Sequence, residues 1–202
     1  MKLILATRNQ GKTKELISLL SPLDLEVVSL SLYPELPEII EDGSTFTENA
    51  LKKAKTVALA TGCLAMGDDS GLEVDYLNGA PGIFSARFAG EKSDDLANNT
   101  KLLKLLKNVP WEQRKARFFC VVAIATPSGR IFTAEGSCHG LIAFEQKGAG
   151  GFGYDPLFYV PEFEKTFAEL EPDVKNKISH RARALAGTYK ILLEIIQNKL
   201  IF

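Results

Sequence analysis

The sequence lacks what several classes of protein require. No apolar run is long enough to span a bilayer, and no stretch repeats, falls into low complexity or reads as a linker. A net charge of −1 leaves no general attraction to nucleic acid or to a membrane, so an anionic ligand must be met by a few local cations. The three cysteines, Cys63, Cys120 and Cys138, are odd in number and widely spaced, which argues against a disulfide framework or a zinc site. Two of them sit in apolar runs, as reduced core thiols do. Met1 opens directly onto a strand-like run with no signal-peptide pattern, so a cytoplasmic protein is expected. What is present is an ordinary globular composition, 46% hydrophobic and 24% charged over 202 residues, enough for one large domain or two small lobes.

Lys2 to Ala6 reads as a short buried strand. The polar loop Thr7-Arg8-Asn9-Gln10-Gly11-Lys12 follows, then a helix carrying Leu16, Ile17, Leu19 and Leu20 that Ser21-Pro22 ends. Strand, polar loop and helix together aim backbone N–H groups at an anion. Gly11-Lys12-Thr13 is not a P-loop, because Ala6 stands where that motif needs glycine. A looser phosphate loop with Thr7, Asn9 and Lys12 as donors remains, beside an ordinary strand-to-helix turn.

Leu25 to Leu30 forms a second strand, and an acidic segment from Pro34 to Gly43 holds Glu35, Glu38, Glu41 and Asp42. Thr45-Phe46-Thr47-Glu48 is a capping box opening a helix from about Phe46 to Ala60, stopped by Gly62. Lys52, Lys53 and Lys55 on it read as a solvated face. An apolar strand, Cys63 to Met66, then delivers Gly67-Asp68-Asp69-Ser70-Gly71. Adjacent acids at a strand end suit a hard cation such as Mg²⁺, or a base that activates water. The alternative is a turn with solvated acids, the glycines supplying the bend.

Leu72 to Leu77 can form another strand, ended by the turn signal Asn78-Gly79. Ser93-Asp94-Asp95 caps a leucine-rich helix that reads as structural. Strands are expected over Ala116–Ala125, Ile131–Glu135 and Cys138–Phe144, with His139 a structural polar residue. Four glycines in Gly148–Pro156 bring backbone close to something; Phe152 or Tyr154 could stack on a planar base and Asp155 could accept from it. A flexible surface loop is the other reading. The final helix is expected from about Ser179 to Leu200, with His180, Arg181 and the preceding Lys175 and Lys177 near its N-terminus. Cations there oppose the macrodipole, which is easier to understand if something anionic or carbonyl-rich meets them.

Four of these stretches, Thr7–Lys12, Asp68–Gly71, Gly151–Pro156 and Ser179-His180-Arg181, together resemble the inosine/xanthosine triphosphate pyrophosphatase family. Gly43–Phe46 with Glu48-Asn49-Ala50, and Pro81–Arg87, extend the resemblance over essentially the whole chain. Phe84 stands where many members carry tyrosine, and Arg8 replaces a smaller residue in the phosphate loop. The resemblance implies an α/β fold, elongated and two-lobed around a long mixed β-sheet with flanking helices, its active-site groove between the lobes. It implies a single domain over residues 1–202, a homodimer, and Mg²⁺-dependent hydrolysis of ITP, dITP or XTP to monophosphate and pyrophosphate. Carried across by position, Thr7, Arg8, Asn9, Gln10, Gly11 and Lys12 with Lys53 would hold the triphosphate. Glu41 and Asp69 would bind the metal, with Asp69 as base; that Asp68 supports the metal indirectly is a separate expectation from the chemistry of adjacent acids. Ser70 would contact substrate, Phe152, Gly153, Tyr154, Asp155 and Lys175 would surround the nucleoside, and His180 and Arg181 would read the purine.

Physical chemistry adds two expectations. Asp68 and Asp69 close together should raise one carboxyl pKa unless a metal relieves the repulsion. A donor aimed at the 6-oxo group of hypoxanthine or xanthine would reject adenine by roughly 10⁴-fold. Three rivals stand beside this reading: a Maf-like pyrophosphatase of other modified nucleotides, a nucleotide-binding module without catalysis, and a sugar-phosphate or nucleic-acid binder, which the few and scattered cations disfavour.

Overall fold

The computed structural model describes residues 1–91 and 93–197. In chain order the elements are β1 (Lys2–Leu5), α1 (Gln10–Leu20), β2 (Glu26–Ser29), α2 (Phe46–Thr61), β3 (Leu64–Val74), α3 (Asp95–Leu105), β4 (Lys115–Ala125), β5 (Ile131–Ile142), β6 (Phe158–Val160), β7 (Lys165–Thr166), α4 (Pro172–Ile178) and α5 (His180–Ile196). The strands form a seven-stranded sheet in the order β2-β1-β3-β4-β5-β6-β7. It is mixed: β1 runs parallel to β2 and to β3, whereas β6 is antiparallel to both β5 and β7.

The chain divides into two compact units. Among the described residues, one comprises 1–69, 120–136 and 181–197; the other comprises 70–119 and 137–180. In the first, Leu3 and Leu5 of β1, Leu64 and Met66 of β3 and Val122 and Ile124 of β4 form one core with Leu16 and Leu20 of α1 and Leu185, Leu192 and Ile195 of α5. These strand residues alternate along the chain, as the period of two requires for one sheet face. In the second, Leu72, Val74, Leu102, Leu106, Phe118, Leu157, Phe158 and Phe167 make a separate core. Phe118 and Phe167 lie parallel at 5.8 Å, and Phe158 is tilted 4.6 Å from Phe118.

Helix α2 follows its sequence signals. The Thr45 side chain accepts from Glu48 N–H, and Gly62 closes the helix at φ +64. The Glu48 carboxylate reaches back one residue further than a capping box predicts, accepting from Ser44 N–H and Oγ.

Three expectations are corrected. Asp68-Asp69-Ser70-Gly71 is not a turn: β3 runs straight through it for 11 residues, and Leu72–Val74 is its continuation rather than another strand. Gly67 serves helix packing instead of a bend, since a Cβ there would lie 2.2 Å from Ala50 O and 2.9 Å from Ala54 N. The α2 backbone presses directly onto the strand. Second, Ile131–Ile142 is one continuous strand across Gly136-Ser137. Third, the C-terminal region holds two helices: Ser179 is the C-cap of α4, and α5 begins at His180. The expected end near Leu200 lies outside the described residues. Among the described residues no helix is long and apolar enough to cross a membrane.

Candidate active site

Strand alternation places the two acids of β3 on opposite faces. Asp68 falls in register with Leu64 and Met66 and faces α1 and α5, whereas Asp69 falls with Ala65 and Gly67 and faces α2.

Asp68 is 1% exposed and gathers three donors. Lys12 Nζ lies 2.6 Å from its Oδ1, Arg181 Nε 3.0 Å from its Oδ2, and Cys120 Sγ 3.0 Å from its Oδ2. Arg181 also pairs with Glu15 of α1. Burial alone would raise the Asp68 pKa, but Arg181 and then Lys12 outweigh it and hold the carboxyl well below the usual range. Burial, the largest single influence, opposes the charge on Lys12 and on Arg181; Asp68 with Asp69 at Lys12, and Asp68 with Glu15 at Arg181, together outweigh it, so both are raised. The Cys120 thiol is pushed well up, by burial first and by Asp68 second.

On the other face Lys53 Nζ lies 2.8 Å from Asp69 Oδ1 and 3.0 Å from Glu41 Oε1. Asn49, one turn earlier on α2, donates from Nδ2 to Asp69 Oδ2 at 3.3 Å and accepts Gly43 N–H at 2.8 Å. Asp69 is raised above the ordinary carboxylate range, by burial first; Lys53 and Lys12 oppose this, and the like charge of Glu41 adds to it. Glu41 is lowered, because Lys53 and Lys12 outweigh its partial burial. The expected pKa split therefore exists, but it arises from Glu41 and burial rather than from repulsion between Asp68 and Asp69.

The Thr7–Lys12 loop is ordered by its own side chains. Asn9 caps α1, its Oδ1 accepting from Lys12 N–H at 3.0 Å, and Thr7 Oγ1 accepts from Asn9 N–H at 3.2 Å. Arg8 donates to the carbonyls of Tyr33 and Leu36, so it braces the segment after β2. Gln10 is exposed and Gly11 half-buried.

In the second unit Asp155 is 2% exposed, with Lys175 Nζ 2.5 Å and Phe152 N–H 2.8 Å from its Oδ2. The same ammonium lies 5.2 Å from the Phe152 ring centroid. His180 stacks on Phe118 at 4.7 Å and 14°. Ser70 is half-buried. Tyr154 is corrected: it is buried, and its hydroxyl donates to Ser85 O at 2.8 Å, so it is a wall of the loop and not a face for stacking.

Lys53, 4% exposed, does not belong to a solvated lysine face. Sequence reasoning also assigned no role to Asn49, Glu15 or Cys120. Asn49 had a readable signal, since it lies four residues before Lys53 and so shares its helix face. Glu15 and Cys120 had none, because their partners come from distant segments.

The donor set suits a hard divalent cation. Two carboxylates from separate segments converge on one ammonium, which marks a point already shaped for positive charge. Among the described residues no group of three or more His, Cys, Asp or Glu could hold a metal ion.

Fold and site together define an α/β protein with a buried carboxylate–ammonium centre built on β3, α1, α2 and the start of α5. The chain belongs to the Ham1 family, whose model matches residues 3–191. It is 62% identical over 192 residues to a protein of Desulforamulus reducens named dITP/XTP pyrophosphatase, covering 95% of this chain and 96% of the relative. A Geobacter sulfurreducens protein of the same name is 51% identical over 185 residues, 92% of this chain and 93% of that one. Among solved structures, a Staphylococcus aureus Ham1 protein superposes with a TM-score of 0.84 at 40% identity, covering 96% of this chain and 100% of that one. A Coxiella burnetii HAM1 protein gives 0.85 at 41% identity, covering 96% and 99%.

Proposed function

We propose that this protein hydrolyses deaminated purine nucleoside triphosphates (ITP, dITP and XTP) to the monophosphate and pyrophosphate, so cleansing the nucleotide pool. Family membership and the names of its relatives support the reaction class. The observation that carries it is Asp69, a buried carboxylate of raised pKa, facing Lys53 and Glu41. A buried carboxyl of raised pKa is a better base than a solvated one. Asp69 removes the proton of a water attacking the α-phosphorus.

The centre is poor in net positive charge. Three cations, Lys12, Lys53 and Arg181, face four carboxylates, Glu15, Glu41, Asp68 and Asp69, leaving it formally −1. A triphosphate brings about four negative charges, so lysines alone do not neutralise it. Mg²⁺ held by Glu41 and Asp69 would supply that neutralisation. Lys12 and Lys53 then meet phosphate oxygens, and the Thr7–Lys12 loop presents backbone N–H groups to the same tail. Phe152, Gly153, Asp155 and Lys175 surround the nucleoside, with Tyr154 supporting them, and Ser70 contacts the substrate. His180, aligned on Phe118, and Arg181, aligned by Asp68 and Glu15, read the 6-oxo group of the purine. The family resemblance extends the proposal to a homodimer working in the cytoplasm.

The test is pyrophosphate release from ITP, XTP, dITP, GTP and ATP, with and without Mg²⁺. Release from the first three that needs the metal, and little from ATP, is expected. Equal turnover of ATP and ITP, or none of ITP, rejects the proposal. Asp69→Asn should lower kcat by roughly 10²-fold or more; near-normal turnover removes Asp69 from the role of base.

A further inference from the structure

Three polar residues of α3, Asp95, Asn98 and Asn99, hydrogen-bond to neighbouring loops. Asn98 and Asn99 are each 2% exposed. Asn98 Oδ1 accepts from Ala89 N–H at 2.7 Å and its Nδ2 donates to Ala86 O at 3.1 Å. Asn99 Nδ2 donates to Gly153 O at 3.0 Å and to Gln146 Oε1 at 3.3 Å. Asp95, one turn earlier on the same face, accepts Gly153 N–H at 2.7 Å. The N–H and C=O of a single glycine are thus both held from one helix.

Gly153 sits at φ +62, and a Cβ there would meet nothing within 4 Å. Its left-handed dihedral, not lack of space, calls for glycine. A glycine without packing neighbours is the softest point of its loop unless its peptides are tied. On one side Phe152 N–H donates to Asp155, and on the other Asp155 holds Lys175. Rotation at Gly153 would move these groups relative to each other. Asn99 Oδ1 is buried with no hydrogen-bond partner among the described residues. An unmatched buried acceptor is unfavourable, a cost that the Asn99 Nδ2 bonds to Gly153 O and Gln146 Oε1 offset.

We propose that Asp95 and Asn99 are positioning residues, a clamp from α3 that fixes the Gly153 peptides so that Phe152 and Asp155 meet the nucleoside in one geometry. The inference rests on the reading above in which Phe152 to Asp155 surround the nucleoside. The clamp acts on the base end of the substrate and leaves the phosphate end untouched.

Steady-state kinetics with dITP, and competitive inhibition by inorganic tripolyphosphate as a probe without a nucleoside, separate these ends. Asn99→Leu and Asp95→Ala should each raise KM for dITP about tenfold, with the tripolyphosphate inhibition constant changed less than about twofold. Asp95→Asn retains an acceptor for Gly153 N–H and should restore the wild-type KM. Unchanged KM in both Asn99→Leu and Asp95→Ala, or an equal loss toward tripolyphosphate, overturns the clamp. If Asn99→Leu fails to fold, Asp95→Ala, at an exposed position, decides alone. Hydrogen exchange at Gly153 N–H distinguishes the two readings: faster exchange in Asp95→Ala, with wild-type protein inactive on dITP, would sink the proposed function while supporting the tether. Unchanged exchange would sink the clamp.

Discussion

Asp68 and Lys12 form a buried ion pair, Oδ1 to Nζ 2.6 Å, in which the carboxylate has no exposed side-chain surface and also takes Arg181. Asp68→Asn would leave two cations facing an amide. Removing one partner of a buried pair typically costs ~3–5 kcal/mol, and the same is expected here at pH 7 by urea denaturation. The pH dependence has a definite sign. The folded pKa of Asp68 is depressed below an unfolded value of about 3.9, so its contribution is complete above that value and is lost as pH falls through the folded one. Urea midpoints of the wild type should therefore drop steeply below about pH 4, and the Asp68→Asn curve should be flatter there. Parallel curves would show that Asp68 is not the group responsible.

Asp69 has the opposite sign. Burial, followed by the like charge of Glu41, raises its folded pKa, so its proton binds more tightly in the folded state and its contribution to stability increases as pH falls through that value. In metal-free protein, Glu41→Gln should move the Asp69 carboxyl titration, followed by carboxyl ¹³C shifts, to lower pH. It should not reach the ordinary value, because burial persists and burial is the larger cause. An unchanged titration would mean that Glu41 and Asp69 do not sense each other, and would remove the argument for a shared cation.

The elements were legible wherever local signals agreed with tertiary demand. Thr45 and Gly62 bracket α2, and Asn78-Gly79 makes its turn with Asn78 at φ 52 and Gly79 at φ 86. The reading failed where turn-forming residues are recruited for another purpose. Gly67, Asp68, Asp69 and Gly71 favour a bend locally, yet sheet pairing carries β3 through them, and the glycine beside α2 exists to admit a backbone. In the candidate site, Asp69, Glu41 and Lys53 were legible from the family resemblance, and the structure brings them together. The roles of Asn99 and Cys120 were not legible: their partners lie 54 and 52 residues away, beyond anything that spacing encodes.

Gly67→Ala tests that close approach. A Cβ 2.2 Å from Ala50 O has no flexible atom to push aside, so α2 must move, and the cost should exceed the ~1–3 kcal/mol of ordinary overpacking. The same shift would draw Asn49 and Lys53 away from Asp69, so kcat of the folded fraction should fall as well. Gly62→Ala is the control. It carries a strained φ of +64 but meets nothing within 4 Å, so it should cost only ~1–2 kcal/mol and leave pyrophosphate release intact. Wild-type stability in Gly67→Ala would mean that the helix and strand are not in backbone contact.

Arg114 offers a purely structural prediction, because it touches none of the residues assigned to catalysis. It is 1% exposed, and its guanidinium donates to the carbonyls of Ile142 at 2.6 Å, Leu106 at 2.7 Å, Ala143 at 2.8 Å and Val109 at 3.4 Å. Its cation also lies 4.5 Å from the Phe144 ring centroid. One side chain thus satisfies the end of α3, the loop after it and the end of β5. Arg114→Met removes the charge and with it the cost of burying it, but strands those carbonyls at ~1–3 kcal/mol for each left unpaired. The balance should be a net loss of ~2–4 kcal/mol, read from the urea midpoint, with kcat of the folded protein unchanged. Arg114→Lys should recover only part of the loss, since a point ammonium cannot span acceptors that a planar five-donor fork reaches at once. A stability change below about 0.5 kcal/mol in Arg114→Met would show that the carbonyls find other partners and that Arg114 does not organise this corner of the fold.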